Sequence, residues 1–232
     1  MRDAASIDRY DPSAFERPSV AVDLILMSVV DGAPAALLHR RSEPPFAGDW
    51  ALPGGFVGID ESLDDAARRI LRDKARIDEA YLEQLYTFGG VGRDPRMRIV
   101  SVAYCALLPA ERFAAAPGLA LARLDLRDGN AADARIDGAP APLAFDHGAM
   151  LDLAIRRLRG KLDWSSVAFA LLPARFTLRA LQDVHEAILG RPLNKPAFRR
   201  RMIDGGRIVA TGARETGASF RPAELYRHAG DA

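Results

Sequence analysis

Two adjacent glycines, Gly54-Gly55, entered through Trp50-Ala51-Leu52-Pro53 and followed from Ser62 by an amphipathic segment, constrain this chain more than any other feature. Ser62 is a suitable N-cap, Asp64 and Asp65 favour a first turn, and Leu63, Ala66, Ala67, Ile70 and Leu71 recur at helical spacing. A helix from Leu63 to about Arg76 is predicted. Upstream, Val20–Val30 is apolar and β-branched and Ala35–Arg41 follows the turn Asp31-Gly32, which predicts a hairpin of buried strands. Two more strands fit Leu85–Val91 and Arg98–Leu108 across the polar turn Gly92–Arg96. A helix fits His147–Leu158, and Ala114–Pro142, rich in Ala, Gly, Pro and Asp, reads as irregular with short strand pieces. Residues 18–160 thus form a mixed α/β domain, after an N-terminal extension over 1–17.

The remaining segment, 161–232, differs in charge. It holds 12 Lys/Arg against 7 Asp/Glu, a net of +5, whereas the first 160 residues carry a net of −4. A basic tail on a mildly acidic body points to a polyanionic partner. The segment reads helix, helix, helix, hairpin. Thr177 can cap a helix carrying Leu178, Leu181, Val184 and Ile188 at helical spacing, and Gly190 can end it. Asn194 and Pro196 then start a second helix, Lys195–Asp204, with Phe198 and Met202 on one face, Arg200 opposite, and Arg199 and Arg201 on the flanks. Two helices joined by a short turn, the second basic and apolar on one side, describe a helix-turn-helix. Arg207–Thr211 and Pro222–Arg227 can pair around the loop Gly212–Arg221 as a wing, which completes a winged helix. The candidate DNA-binding residues are Thr177, Lys195, Arg199, Arg200, Arg201, Arg214 and Arg221.

In the first domain, Gly55, Glu61, Arg69, Leu71 and Ile77 resemble the Nudix box, G-x5-E-x7-R-E-U-x-E-E-x-G-U with U aliphatic. The resemblance implies a Nudix fold, an α+β domain with a mixed sheet. In Nudix hydrolases the helix carboxylates bind Mg²⁺, which needs several converging oxygen ligands. Here Ile70 and Lys74 stand for two of those Glu residues and Arg76 for the Gly, leaving Glu61 and Asp73. Ile70 cannot bind a metal, and Lys74 brings a cation where a dication should sit, about 3–4 kcal/mol unfavourable per close pair at an effective dielectric near 20. Asp64 and Asp65 read as helix-start residues rather than substitute ligands. Glu61 fits either a metal role or a loop contact to Arg69. The expected reading is a domain with no catalytic residues, no metal and no required cofactor, the alternative being an active hydrolase of ADP-ribose-like compounds.

Such a cleft can still bind. Arginine forks suit diphosphates, and the candidate ligand-binding set is Arg40, Arg41, Trp50, Gly55, Glu61, Arg93 and Arg96. His39, His147, His185 and His228 have no metal-ligand spacing and read as structural or surface residues. Cys105, the single cysteine, lies in an apolar run; there is no run of 18 apolar residues, and Met1 to Arg17 is polar. No membrane span or signal peptide is expected, and the expected location is the cytoplasm.

Together, Trp50–Ser62, Arg93-Asp94-Pro95-Arg96 with Val100–Tyr104, Leu143–His147, most of Ala168–Arg201 and Arg221–Arg227 resemble the NrtR family of Nudix-related regulators of NAD metabolism. The resemblance implies a homodimeric repressor of NAD-biosynthesis genes that binds palindromic double-stranded DNA and releases it on binding ADP-ribose or a related nucleotide. Phe220 stands where that family pattern has Gly before the wing's Arg-Pro.

Overall fold

The computed structural model describes residues 11–113, 118–127, 131–216 and 222–230. Its centre is the expected hairpin: β1 (Ser19–Val30) pairs with β2 (Ala33–Arg40), Met27 opposite Ala36 and Val30 opposite Ala33. Asp31 and Gly32 take positive φ, 48° and 72°, the turn geometry that matches strand twist. Short strands β3 (Trp50–Ala51) and β4 (Gly54–Phe56) pair with β2 and β1, on either side of the Leu52-Pro53 link. Helix α1 (Leu63–Ala75) follows, capped by Ser62, whose hydroxyl accepts the Asp65 N–H at 3.1 Å. Strands β5 (Tyr81–Phe88) and β6 (Ile99–Leu107), a short α2 (Ala110–Phe113), β7 (Ala120–Arg127), β8 (Ala131–Ile136) and β9 (Ala139–Pro140) precede α3 (His147–Lys161). The sheet order is β5-β6-β1-β2-β7-β8-β9, with β1 and β6 parallel and the other neighbours on this path antiparallel.

β1 reads as a continuous apolar run because both of its faces are covered. Val22, Leu24 and Leu26 share one cluster with Ala66, Ala67, Ile70 and Leu71 of α1 and with Phe113 of α2. Ile25 and Met27, on the opposite face, belong to a second cluster. That second cluster does not stop at the first domain. It includes Met150, Ile155 and Leu158 of α3, Leu181, Val184 and Ile188 of α4 (Leu178–Leu189), Phe198 and Met202 of α5 (Lys195–Asp204), and Tyr226 of β12 (Glu224–His228). The C-terminal helices therefore pack on the sheet itself, α4 lying against β1, β2 and α3. A second, three-stranded sheet runs β10 (Phe176–Thr177), β12, β11 (Ile208–Arg214), with β10 and β11 both antiparallel to β12.

Four sequence expectations change. Strand β5 covers Tyr81–Phe88 rather than Leu85–Val91; it is an edge strand whose exposed positions, Tyr81 and Gln84 among them, hide its start. Ala114–Pro142 is largely strand, not irregular: β7 and β8 form a regular pair, Leu124 opposite Ala134, and a tight turn at Asp137-Gly138 leads into β9. Alanine, a poor strand former, masks them, and it is there because α3 packs closely on β8. Among the described residues, only two α-helices begin after Lys161; in place of a third there is a 3₁₀ turn at Phe169–Leu171. The wing strands run slightly later than expected, to Arg214 and His228. No helix among the described residues is long and apolar enough to cross a membrane.

Leu181 is fully buried within the shared cluster. Leu181→Ala is expected to destabilise the chain by about 2–5 kcal/mol. Because that cluster is continuous, the loss should appear in one transition, with tryptophan fluorescence and far-UV circular dichroism coinciding during urea unfolding. Two separated transitions in the wild-type chain would contradict a common core.

Candidate ligand cleft and nucleic-acid interface

Beside the Gly54-Gly55 strand lies a cleft of about 280 Å³, lined by Asp23, His39, Arg41, Gly55, Lys74, Arg96, Phe145 and His147, among others. Gly54 is obligatory: a Cβ there would come within 2.1 Å of Asp23 Oδ1 and 2.9 Å of the Val22 carbonyl. Asp23 is a buried carboxylate in the middle of β1, opposite Gly54. Ser101 Oγ donates to it at 2.5 Å, Arg93 Nη2 stands 3.6 Å away and His147 Nε2 3.7 Å away. His147 Nδ1 accepts the Leu52 N–H at 3.0 Å, which leaves the proton of a neutral ring on Nε2, facing Asp23. Burial pushes the His147 pKa down, which favours that neutral ring.

Arg93 is the keystone of this wall. Its side chain is 6% exposed and forks onto Asp146, Nε to Oδ2 at 2.9 Å and Nη2 to Oδ1 at 2.6 Å. Asp146 is the N-cap residue of α3, yet its carboxylate makes no capping bond because Arg93 occupies it. Arg96 is held in the same manner by buried Asp94, Nε at 3.0 Å and Nη2 at 2.7 Å, and remains half exposed at the cleft. Arg41 donates to the carbonyls of Pro45 and Glu43, and its guanidinium lies 4.8 Å from the Phe145 ring centroid. Arg96 approaches the same ring at 5.9 Å. Phe145 takes a φ of 56°, uncommon for a bulky residue and a mark of a constrained site. It thereby serves as a platform for both arginines.

Of the ligand-binding candidates, Arg41, Gly55 and Arg96 line the cleft. Arg93 lies behind its wall. Arg40 is exposed, its Nε donating to Gly48 O at 3.0 Å, and Trp50 packs against the large apolar cluster. Glu61 is turned to Arg69, accepting from its Nε at 2.9 Å and from the Gly58 N–H at 2.7 Å. Arg69, and then the Gly58 N–H, hold the Glu61 pKa at about 2. Asp64 accepts from the Tyr104 hydroxyl at 2.6 Å and Asp65 from Ser62 Oγ at 2.7 Å. Ile70 is buried, its side chain under Gly55, and Lys74, one turn later, donates to the Gly54 carbonyl. This donor set does not fit a hard dication: an alkyl group and an ammonium occupy two positions and Glu61 is engaged with a guanidinium.

Sequence reasoning missed Asp23, Ser101, Asp146 and Phe145. The lone carboxylate inside the apolar stretch Val20–Val30 was the available signal for Asp23. Ser101, Asp146 and Phe145 acquire their roles only from tertiary neighbours.

In the C-terminal segment, Thr177 caps α4 through the Ala180 N–H at 3.1 Å and is itself buried. Gly190 ends α4 in the left-handed region, φ 70°, and Asn194 caps α5 through the Ala197 N–H at 3.0 Å. The turn between the helices is clamped. Glu186 Oε1 accepts the Leu193 N–H at 2.8 Å and Gln182 Nε2 at 2.7 Å, while Gln182 also donates to Leu193 O at 3.1 Å. Phe198 and Met202 turn inward, Phe198 meeting His185 edge-on at 5.0 Å. Lys195, Arg199, Arg200 and Arg201 are exposed. Arg201 pairs with Asp163 at 2.8 Å, and the Tyr226 hydroxyl donates to Glu224 at 2.6 Å. Arg214 donates to Pro222 O at 3.0 Å across the base of the wing; Phe220 and Arg221 lie outside the described residues.

Comparison with known proteins places these two sites in context. Residues 17–122 match the NUDIX domain model and residues 168–228 the NrtR DNA-binding winged helix domain. An ADPR responsive transcriptional repressor from Acinetobacter baylyi is 37% identical over 227 residues, covering 97% of this chain and 88% of that protein. The crystal structure of Shewanella oneidensis NrtR complexed with a 27mer DNA matches at 34% identity and a TM-score of 0.74, over 90% of this chain and 93% of that one. The NUDIX domain of the same protein complexed with ADP ribose matches 68% of this chain and 99% of that one, at 34% identity and a TM-score of 0.51. With a cleft built on a Nudix helix, a clamped helix-turn-helix with its wing, and a repressor as a near full-length relative, the chain belongs to the NrtR family of Nudix-related transcriptional regulators.

Proposed function

We propose that this chain is a homodimeric, cytoplasmic repressor of NAD-biosynthesis genes that holds palindromic operator DNA and lets go when ADP-ribose or a related nucleotide enters the cleft. The observation that carries this reading is the build of α5. Its apolar side is fixed in the common core by Phe198 and Met202, which leaves Lys195, Arg199 and Arg200 exposed. A rigid helix with cations on its outer face suits the major groove and its phosphates. Thr177 contributes by fixing the start of α4, and Arg214 extends the positive surface along the wing. Relatives found with DNA and with ADP ribose support assigning those two partners here.

The effector lies against Gly55, with Arg41 and Arg96 presenting guanidinium groups to its diphosphate. Arg93, Trp50, Glu61 and Arg40 act by holding the surrounding wall and loops. The cleft binds and does not cleave, and no metal or other cofactor is needed. What supports this is the chemistry of α1, where Ile70 and Lys74 face the glycine strand and Arg69 occupies Glu61.

Replacing Arg199 and Arg200 together by Ala should weaken operator binding by about 10- to 100-fold, and the salt dependence should flatten by about one unit of slope for each phosphate no longer neutralised. Fluorescence anisotropy across a KCl series measures both; unchanged affinity would refute the assignment of α5. With ADP-ribose and Mg²⁺ or Mn²⁺, the chain should release the operator while the nucleotide is recovered intact by chromatography. Sustained turnover that Glu61→Gln abolishes would establish a hydrolase instead.

A further inference from the structure

Lys74 is unexplained as a mere loss of a carboxylate. It sits one helical turn after Ile70, on the face of α1 turned to the Gly54-Gly55 strand, and its ammonium donates to the Gly54 carbonyl. That places it in the lining of the same cleft as Arg41 and Arg96. The three cations differ in what they have left to give. Arg96 has two of its nitrogens on Asp94, and Arg41 has two on backbone carbonyls. Lys74 has three donors and, among the described residues, hydrogen-bonds a neutral carbonyl. Asp23, the carboxylate whose charge acts on Lys74, is already served by Ser101, Arg93 and His147.

We propose that the Lys74 ammonium is a tethered cation that pairs with the effector's diphosphate, so that binding at this cleft is independent of divalent metal. The inference rests on the effector reading above and names the group that makes it work. In a Nudix hydrolase the carboxylates of this helix recruit a dication, and the dication neutralises the diphosphate. Here the carboxylate and the metal are both replaced by one side chain whose positive charge comes with the fold. A bound Mg²⁺ and the Lys74 ammonium would repel one another over the same few ångströms, so the two solutions exclude each other. Burial, and then the positive charge of Lys74, pull the pKa of His39 in the same lining down to about 4. Its buried Nδ1 has no hydrogen-bond partner among the described residues, so the cleft keeps a neutral polar atom beside its cations.

Calorimetric titration of ADP-ribose into the full chain, in EDTA and again in Mg²⁺, tests this. The wild-type chain should bind equally in both buffers, within about threefold. Lys74→Met should lose about 10- to 100-fold in EDTA, the range expected for a charge-assisted contact, and Lys74→Arg should recover most of it. Adenosine, which lacks the diphosphate, should bind wild type and Lys74→Met alike, which separates loss of charge from loss of packing. Lys74→Glu should bind ADP-ribose better with Mg²⁺ than without. Wild-type binding that demands Mg²⁺, or Lys74→Met binding as tightly as wild type, overturns this inference and leaves the effector reading standing. No binding of ADP-ribose by wild type in either buffer overturns both.

Discussion

Arg93, buried between two carboxylates, joins three parts of the chain that are far apart in sequence. It comes from the turn between β5 and β6, its fork is closed on Asp146 at the start of α3, and it stands 3.6 Å from Asp23 in the middle of β1. A carboxylate buried in a strand is costly unless paired and hydrogen-bonded. Here the compensation is shared: Ser101 bonds Asp23 directly, while Arg93 and His147 supply nearby positive and polar groups. Removing the guanidinium would strip buried Asp23 and part-buried Asp146 of the cation they share. The cleft's shape follows from this clamp, because the strand, the turn and the helix that wall it cannot move apart without breaking it.

The clamp also sets where α3 begins, and α3 is the element that reaches the second site. Its first residue, His147, touches the cleft; near its other end, Arg159 donates to the Ile188 carbonyl at the C-terminus of α4, at 2.7 Å. Lys161 closes on Glu83 of β5 at 2.6 Å. Just beyond, Asp163 accepts from Arg201 of α5, and its carbonyl accepts from Arg207 at 2.8 Å. The segment joining the domains is therefore a packed helix with polar contacts at both ends, and the apolar cluster around it is continuous. On the proposed reading, occupancy of the cleft and engagement of DNA are two perturbations of one body. Coupling between them requires only that each ligand favour a different arrangement of that body, not that a signal cross a flexible linker.

Much of this was legible in the sequence where one residue or one period decides the outcome. Ser62, Asn194, Thr177 and Gly190 all cap or end helices as their chemistry dictates, and the Asp31-Gly32 turn closes the central hairpin. Phe198 and Met202, one helical turn apart, mark the inward side of α5. The failures have a common cause. Strands β7 and β8 use alanine where α3 needs room, and the edge strand β5 uses polar residues where water is its neighbour, so neither carries the expected periodic signal. For the cleft, type and spacing identified arginines but not their partners. Arg93 and Arg96 belong to the same short turn, yet one is a wall and the other a lining group, because Asp146 and Asp94 stand on different sides.

On the reading proposed above, the charge arrangement of the cleft is what separates binding from cleavage. Guanidinium and ammonium groups fixed by the fold attract a diphosphate before any bond has changed. Ground-state attraction of this kind adds affinity but supplies no nucleophile. A divalent metal differs because it also acidifies bound water and gathers nucleophile and phosphorus in one coordination sphere. Lys74 and the two arginines have no counterpart to that second action: none can hold a hydroxide in place. With Ile70 under Gly55 and Arg69 on Glu61, the helix that carries the box motif contributes shape and positive charge to the cleft. Those are the properties an effector site needs, since a ligand destroyed on binding could not report its own concentration.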